Sequence, residues 1–390
     1  MSLAALLAAS AVILLAALAL EPTARRLDVA VPLVFLGAGL ALGALSGTAR
    51  HEVDAGQLET AGTIALVLIL VDGGLRTGIV ALRRELAPVL ALGIGGTLVT
   101  FGLVAVTTHW VTGLGWTPSL IVGAALSPTD PAAVFSVLHG RSGGSLRVAT
   151  VLEGEAGFND PVAIALVIAL IDAARKGHDP GVGEIAWTML REGVVGAIVG
   201  VGLALLLDRL ISPRGPTIGV APALVVSLGA FLAFGVAGVA HGSGFLAAYL
   251  FGLVLGDRLE DVRATVGRLH DQLSSLAEVG MFVLLGVALM TIPLRGSLVE
   301  AIVIAALLVL VIRPVVAGPV MASAGLGRAG TIFGVWGGLK GAVPILLGSL
   351  PIARGLADGN RLFALVGLVV VFSLLVQGLT LGRLARRLGI

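Results

Sequence analysis

The chain has 390 residues, of which 57% are hydrophobic and 12% charged, whereas an ordinary soluble domain is roughly 25% charged. That balance excludes an ordinary soluble domain and places the chain among polytopic membrane proteins. The absence of cysteine excludes a disulfide framework and a thiolate metal site, the six histidines show no metal-ligand spacing, and a formal charge of +2 is too small to imply nucleic acid.

A helix needs about 20 apolar residues to cross a bilayer. Thirteen segments qualify as candidate spans: 3–20, 29–46, 58–72, 86–108, 117–138, 146–172, 185–210, 219–240, 243–256, 274–292, 298–324, 329–350 and 361–384. The third, ninth and twelfth are short or broken by glycine. The first lacks a basic leader and a clear cleavage site, so it reads as a retained helix. The fold class is therefore all-α and polytopic, as one transmembrane domain over 1–390. Basic residues then sort the loops. Sixteen arginines, from Arg25 to Arg387, fall on one side, against Arg50, Arg175, Lys176, Arg295, Arg354 and Arg361 on the other. The first side is cytoplasmic by the positive-inside rule, with the N-terminus outside and the C-terminus inside.

Two of these spans are interrupted. Pro128 and Pro131 break the fifth, and Gly337, Gly338, Gly341 and Pro344 break the twelfth. Each neighbours a span with an ionisable group, Asp160 in the sixth and Arg313 in the eleventh. The broken spans lie an odd number of spans apart, so the two halves insert with opposite orientation. Interrupted helices at matching positions of inverted repeats point to a transporter's binding site.

Acids lie in the same places. A charge at the bilayer centre costs about 3 kcal/mol even on lenient scales, yet Asp130, Glu153, Glu155 and Asp160 all sit within apolar segments. Prolines on either side of Thr129-Asp130 open the helix and free carbonyls, and with the Thr129 hydroxyl and Asp130 carboxylate these offer oxygens suited to a hard monovalent cation. Asp130 can also neutralise the positive end of an opposing half-helix. Asp160, in Asn159-Asp160-Pro161, is the central carboxylate. Burial lets such a group hold either a proton or a cation, and competition for one site is sufficient for exchange. Asn159 adds a neutral amide ligand or fixes the loop. Glu155 and Asn159 share a helix face at i, i+4, and Glu153 faces the other way. One of the two glutamates needs a buried cationic partner, for which Arg313 is the candidate, preceded as it is by the apolar run 303–311. Lys340, in Gly-Gly-Leu-Lys-Gly-Ala-Val-Pro, places a positive charge at the second break. Asp72 is expected to be an interfacial cap and Glu278 to lie at the cytoplasmic rim. His241-Gly-Ser243-Gly only superficially suggests a serine protease, and no enzyme is expected.

Five pieces carry a resemblance: Ser-Pro-Thr-Asp-Pro-Ala-Ala-Val-Phe-Ser (127–136), Leu-Glu-Gly-Glu-x-x-x-Asn-Asp-Pro (152–161), Gly-Ser-Gly-Phe-Leu-Ala-x-Tyr (242–249), Gly-Gly-Leu-Lys-Gly-Ala-Val-Pro (337–344) and Val-Gln-Gly-Leu-Thr-Leu (376–381). In this order they resemble the type-1 monovalent cation:proton antiporters, the sodium/hydrogen exchanger and NhaP group. The potassium/proton, cell-volume-regulation branch is most similar. The resemblance implies a thirteen-span inverted-repeat bundle with crossed broken helices. A scaffold at about 1–85 and 219–297 would hold a moving core at about 86–172 and 298–384, joined by a linker helix at about 185–210. It implies Asp160 as the cation and proton carboxylate, with Thr129, Asp130, Glu155 and Asn159 around the cation. Asn at 159 is the electroneutral form of that position. Glu155 would pair with Arg313, and Pro128, Pro131, Gly338, Lys340 and Gly341 would form the crossing. Expected partners are K+ or Na+, protons, membrane lipid and a second copy in a homodimer, with no cofactor and no metal beyond the transported ion. Two features depart from the pattern. Lys340 stands where the group usually has arginine, and the chain ends at Ile390, where a soluble regulatory domain is usual in that branch. The expectation is an electroneutral antiporter of the cell membrane, with no soluble regulatory domain. Its rivals are an ion-coupled symporter of a small organic anion and a non-transporting ion sensor or channel. The low aromatic content and the single Tyr249 argue against the symporter.

Overall fold

The computed structural model describes residues 3–26, 30–45, 55–130, 134, 144–176, 181–211, 222–258, 263–291, 293–294 and 296–390. Hydrocarbon offers no partner to a bare N–H or C=O, so a chain of this composition satisfies its backbone within helices. In chain order these are α1 (Leu3–Arg26), α2 (Val31–Leu45), α3 (Ala55–Thr77), α4 (Ile79–Arg84), α5 (Leu86–Thr112), α6 (Trp116–Leu126), α7 (Gly144–Lys176), α8 (Val182–Ile211), α9 (Pro222–Val239), α10 (Gly244–Gly256), α11 (Arg263–Thr291), α12 (Leu298–Ser323), α13 (Gly327–Trp336), α14 (Ala342–Ala353) and α15 (Gly359–Leu388). Among the described residues, eight helices are long and apolar enough to cross a membrane, and five shorter apolar helices accompany them. Their order follows the thirteen segments read from the sequence, and the protein is a multi-pass membrane protein. Turns of π-helix interrupt α5 at Ala91–Gly96, α12 at Leu308–Ile312 and α15 at Leu374–Gly378.

The spans differ in how much of their surface they bury. The apolar window of α7 is 72% buried against 17% for α8, which places α7 at the centre and turns α8 outward. Trp187, Leu190, Val194 and Ile198 form an exposed apolar stripe on α8, the surface expected against lipid. Around α7 pack α5, α6, α13 and α3, and α3 packs in turn on α10, α11 and α14.

Local chemistry sets the breaks. The Ser243 hydroxyl accepts from Leu246 N at 3.2 Å and caps α10, which gives the protease-like fragment a structural role. Gly78 leaves the helical region with φ 68° and divides α3 from α4, and Asp257 accepts from Val80 N at 2.8 Å just beyond it. Despite Pro161, α7 runs unbroken through Asn159-Asp160-Pro161.

Two expectations need correction. The tenth span was placed at 274–292, but α11 begins at Arg263. Its first turns are polar, so a hydropathy window passes over them, yet His270 there is buried and lies 3.2 Å from the Ser227 hydroxyl of α9. Asp72 is no interfacial cap. It is buried inside α3, 2.8 Å from Arg76 one turn on, and Arg76 also meets Asp271 of α11. Burial of Asp72, beside a half-exposed Arg76, reflects packing between helices, which charge spacing alone does not reveal.

Candidate functional site

Ser127 ends α6. Pro128 lacks an N–H and so cannot continue the helical ladder; Ser127 still has helical dihedrals, and the chain opens over 127–130. Pro131 lies outside the described residues. Later in the chain α13 ends at Trp336, Gly337 N bonds Phe333 O at 2.8 Å, and the chain stays open until α14 starts at Ala342. The two open stretches cross. Asp130 N donates to Leu339 O at 2.9 Å in an isolated antiparallel bridge.

Charges exchange at the crossing. Lys340 reaches from the second stretch to the first, where Nζ donates to the Ser127 and Pro128 carbonyls at 3.1 and 2.7 Å. Asp130 reaches the other way, and its Oδ2 accepts from Ala342 N at 3.3 Å, in the first turn of α14. Each side chain therefore meets the end of an opposing half-helix whose dipole is of complementary sign. Glycine is required at two points for this. A Cβ on Gly341 would overlap the Asp130 carboxylate, and one on Gly338 would press on the Arg313 guanidinium.

Asp160 and its neighbours come from α7, beside the crossing. Asn159 Nδ2 donates to Thr129 Oγ1 at 2.9 Å and ties α7 to the open stretch. Asp160 is 4% exposed, and its Oδ1 is buried with no hydrogen-bond partner among the described residues; Asn159 Oδ1 is in the same condition. The charged groups acting on Asp160 are Asp130 and Lys340. The orphaned oxygens fit a cation or a proton, since both are taken up by oxygen lone pairs. One turn earlier, Glu155 meets Arg313 in a two-point pair, Nη1 to Oε1 and Nη2 to Oε2, the second at 2.9 Å. Both groups are buried. Breaking such a pair costs about 3–5 kcal/mol. Glu153 points elsewhere, towards Thr77 and Arg76 of α3.

Thr129, Asp130, Asn159, Asp160, Lys340 and Gly341 thus gather at one place, with Glu155, Arg313 and Gly338 against it. The sequence reading missed three features. Tyr249 of α10 lies with its ring and hydroxyl on Gly157, between Glu153 and Asp160 on one helix face, and its hydroxyl is buried without a partner. Its motif was noted, but the residue served only as a count of aromatics. Gln377 and Ser373 hold the open stretch after α13. A lone glutamine in a wholly apolar span was the available signal. Arg147 pairs with Glu85 at 2.6 and 2.9 Å and joins the start of α7 to the break before α5, a pairing that no local spacing shows.

Comparison with known proteins decides the family. The model of the transmembrane sodium/hydrogen exchanger family matches residues 10–387. The chain belongs to this family. Among the exchanger relatives, the K+/H+ antiporter NhaP2 of Shewanella oneidensis is 33% identical over 369 residues, which cover 94% of this chain and 64% of the relative. The Na+/H+ antiporter NhaP of Pseudomonas aeruginosa is 30% identical over 354 residues, covering 85% and 81%. The chain thus spans just under two thirds of the length of the K+/H+ relatives. The sodium proton antiporter MjNhaP1 of Methanocaldococcus jannaschii at pH 8 shares the exchanger fold, with a TM-score of 0.79 over 97% of this chain and 100% of that one at 20% identity.

Proposed function

We propose that the chain exchanges one monovalent cation for one proton across the membrane, with Asp160 carrying each in turn. One observation carries this reading: a buried carboxylate with an unpartnered oxygen, beside two crossed helix breaks. The Thr129 hydroxyl and the Asn159 amide oxygen supply neutral oxygens beside it. Glu155 has both oxygens engaged by Arg313, so it braces the site rather than binding the cation. Asn159 leaves a single carboxylate at this point of α7, and one negative charge balances one cation or one proton, so exchange is electroneutral. The names of the relatives, K+/H+ in several cases and Na+/H+ in another, support K+ first and Na+ second.

The remaining pieces follow from the same reading. The site alternates sides as a core (about 86–172 and 298–384) moves against a scaffold (about 1–85 and 219–297), with 185–210 as linker. The protein sits in the cell membrane as a homodimer surrounded by lipid, N-terminus outside and C-terminus in the cytoplasm. The test is dissipation of an imposed pH gradient in proteoliposomes on adding KCl, then NaCl. Dequenching by either salt, without a current that scales with turnover, is expected. A proportional current would overturn the neutral stoichiometry, and no dequenching by inserted, folded protein would overturn exchange.

A further inference from the structure

A closed chain of hydrogen bonds ties the open stretch after α13 to α15. Ser373 Oγ accepts from the Lys340 main-chain N–H at 3.0 Å and donates to Gln377 Oε1 at 2.7 Å. Gln377 Nε2 donates to the Trp336 carbonyl at 2.8 Å. Trp336 Nε1 donates to Thr380 Oγ1 at 2.8 Å, and that hydroxyl donates to the Val376 carbonyl at 2.6 Å. The direction of each link fixes the next. Ser373 accepts from Lys340, so its proton is available to the glutamine carbonyl, which turns the amide NH2 to Trp336.

Ser373 and Gln377 are at most 1% exposed, in a span otherwise rich in leucine, valine and phenylalanine. Packing alone would be served as well by an apolar pair, because a buried polar group gains little unless it is fully satisfied. The π turn Leu374–Gly378 includes Gln377, and such turns are frequent at functional sites. The two bonds reach the last carbonyl of α13 and the N–H of Lys340, on either side of the open stretch. Lys340 in turn grips the Ser127 and Pro128 carbonyls, next to Thr129.

We propose that Gln377 and Ser373 are positioning residues for transport, setting the place of Lys340 and, through it, of the 127–130 stretch beside Asp160. The inference rests on the antiport reading above. It is tested with Gln377→Met, Ser373→Ala and Ser373→Thr in the proteoliposome assay, with cation titrated at fixed pH. A tenfold change in affinity corresponds to about 1.4 kcal/mol. Expected is a rise of about tenfold in the half-saturating cation concentration for Gln377→Met and Ser373→Ala, with the maximal rate changed much less. Ser373→Thr keeps the hydroxyl and should stay near wild type. Should Gln377→Met fail to insert, the Ala and Thr variants of Ser373 carry the comparison. Wild-type exchange with half-saturation unmoved in Gln377→Met and Ser373→Ala, or with Ser373→Thr as impaired as Ser373→Ala, overturns the positioning role alone. A wild type inert to both cations overturns antiport, and the positioning role with it.

Discussion

Glu155 and Arg313 are buried charges that satisfy one another, so each depends on the other being present. Arg313→Met should destabilise the protein by about 3–5 kcal/mol, because Glu155 is then buried without a counter-charge. Adding Glu155→Leu should recover most of that loss. Thermal melting in detergent reads both, and a double variant as unstable as the single one would mean that the pair is not the source of stability. Gly341 is a second sensitive residue. Gly341→Ala puts a methyl into the Asp130 carboxylate and should lose exchange, whereas Gly95→Ala, with open space around it, should not. Equal activity of the two would refute a tight crossing. At this scale the acids were legible, since a carboxylate in an apolar run is conspicuous. The choice of Glu155 over Glu153 as partner of Arg313 came from the resemblance and not from the residues, because it depends on which face of α7 meets α12. Gln377 lies in the Val-Gln-Gly-Leu-Thr-Leu motif and is itself costly in an apolar helix, but its partners Trp336 and Ser373 come from the folded arrangement and no local pattern names them.

The helix breaks work as a pair. Lys340 satisfies the Ser127 and Pro128 carbonyls, left over where the chain leaves the helix, and Asp130 satisfies a first-turn N–H of α14. Hydrogen bonds to charged groups contribute about 1.5–3 kcal/mol each. Lys340→Met removes two of them and should abolish exchange while lowering the melting temperature. Lys340→Arg keeps the charge and should be milder. A fully active Lys340→Met would show that the crossing holds without its cation. Proline and glycine announced both breaks in the sequence, because their effect on the backbone is local. The bridge between Asp130 and Leu339 joins residues far apart in the chain, and no local pattern encodes it. The polar start of α11 was missed for the opposite reason: a helix that buries His270 against a neighbour needs no run of apolar residues.

Across the whole molecule, Arg354 at the end of α14 meets Glu59 of α3 at 3.1 Å and Asp172 of α7 at 3.6 Å. All three groups are partly exposed, so each contact is worth about 0–1 kcal/mol and can break and re-form. In the proposed division Glu59 belongs to the scaffold and Arg354 to the core, so transport must separate them. The chain has no native cysteine, so Glu59→Cys with Arg354→Cys can be joined by a short cleavable thiol cross-linker. Joining them should stop exchange, and reduction should restore it. Full activity in the cross-linked protein would exclude relative motion there. The number and order of spans were legible because the bilayer fixes their length and apolarity. The proposed partition into core and scaffold came from the resemblance alone, since both parts are built from equally apolar helices.

The most direct measurement asks whether cation and proton compete for one carboxylate. KCl or NaCl is added to purified, weakly buffered protein in detergent, and released protons are counted with a pH indicator. Release of about one proton per chain is expected near the pH where Asp160 is protonated, with none from Asp160→Asn. Release of the same amount by folded Asp160→Asn, or cation binding by the wild type with no proton released, would contradict a shared site at Asp160.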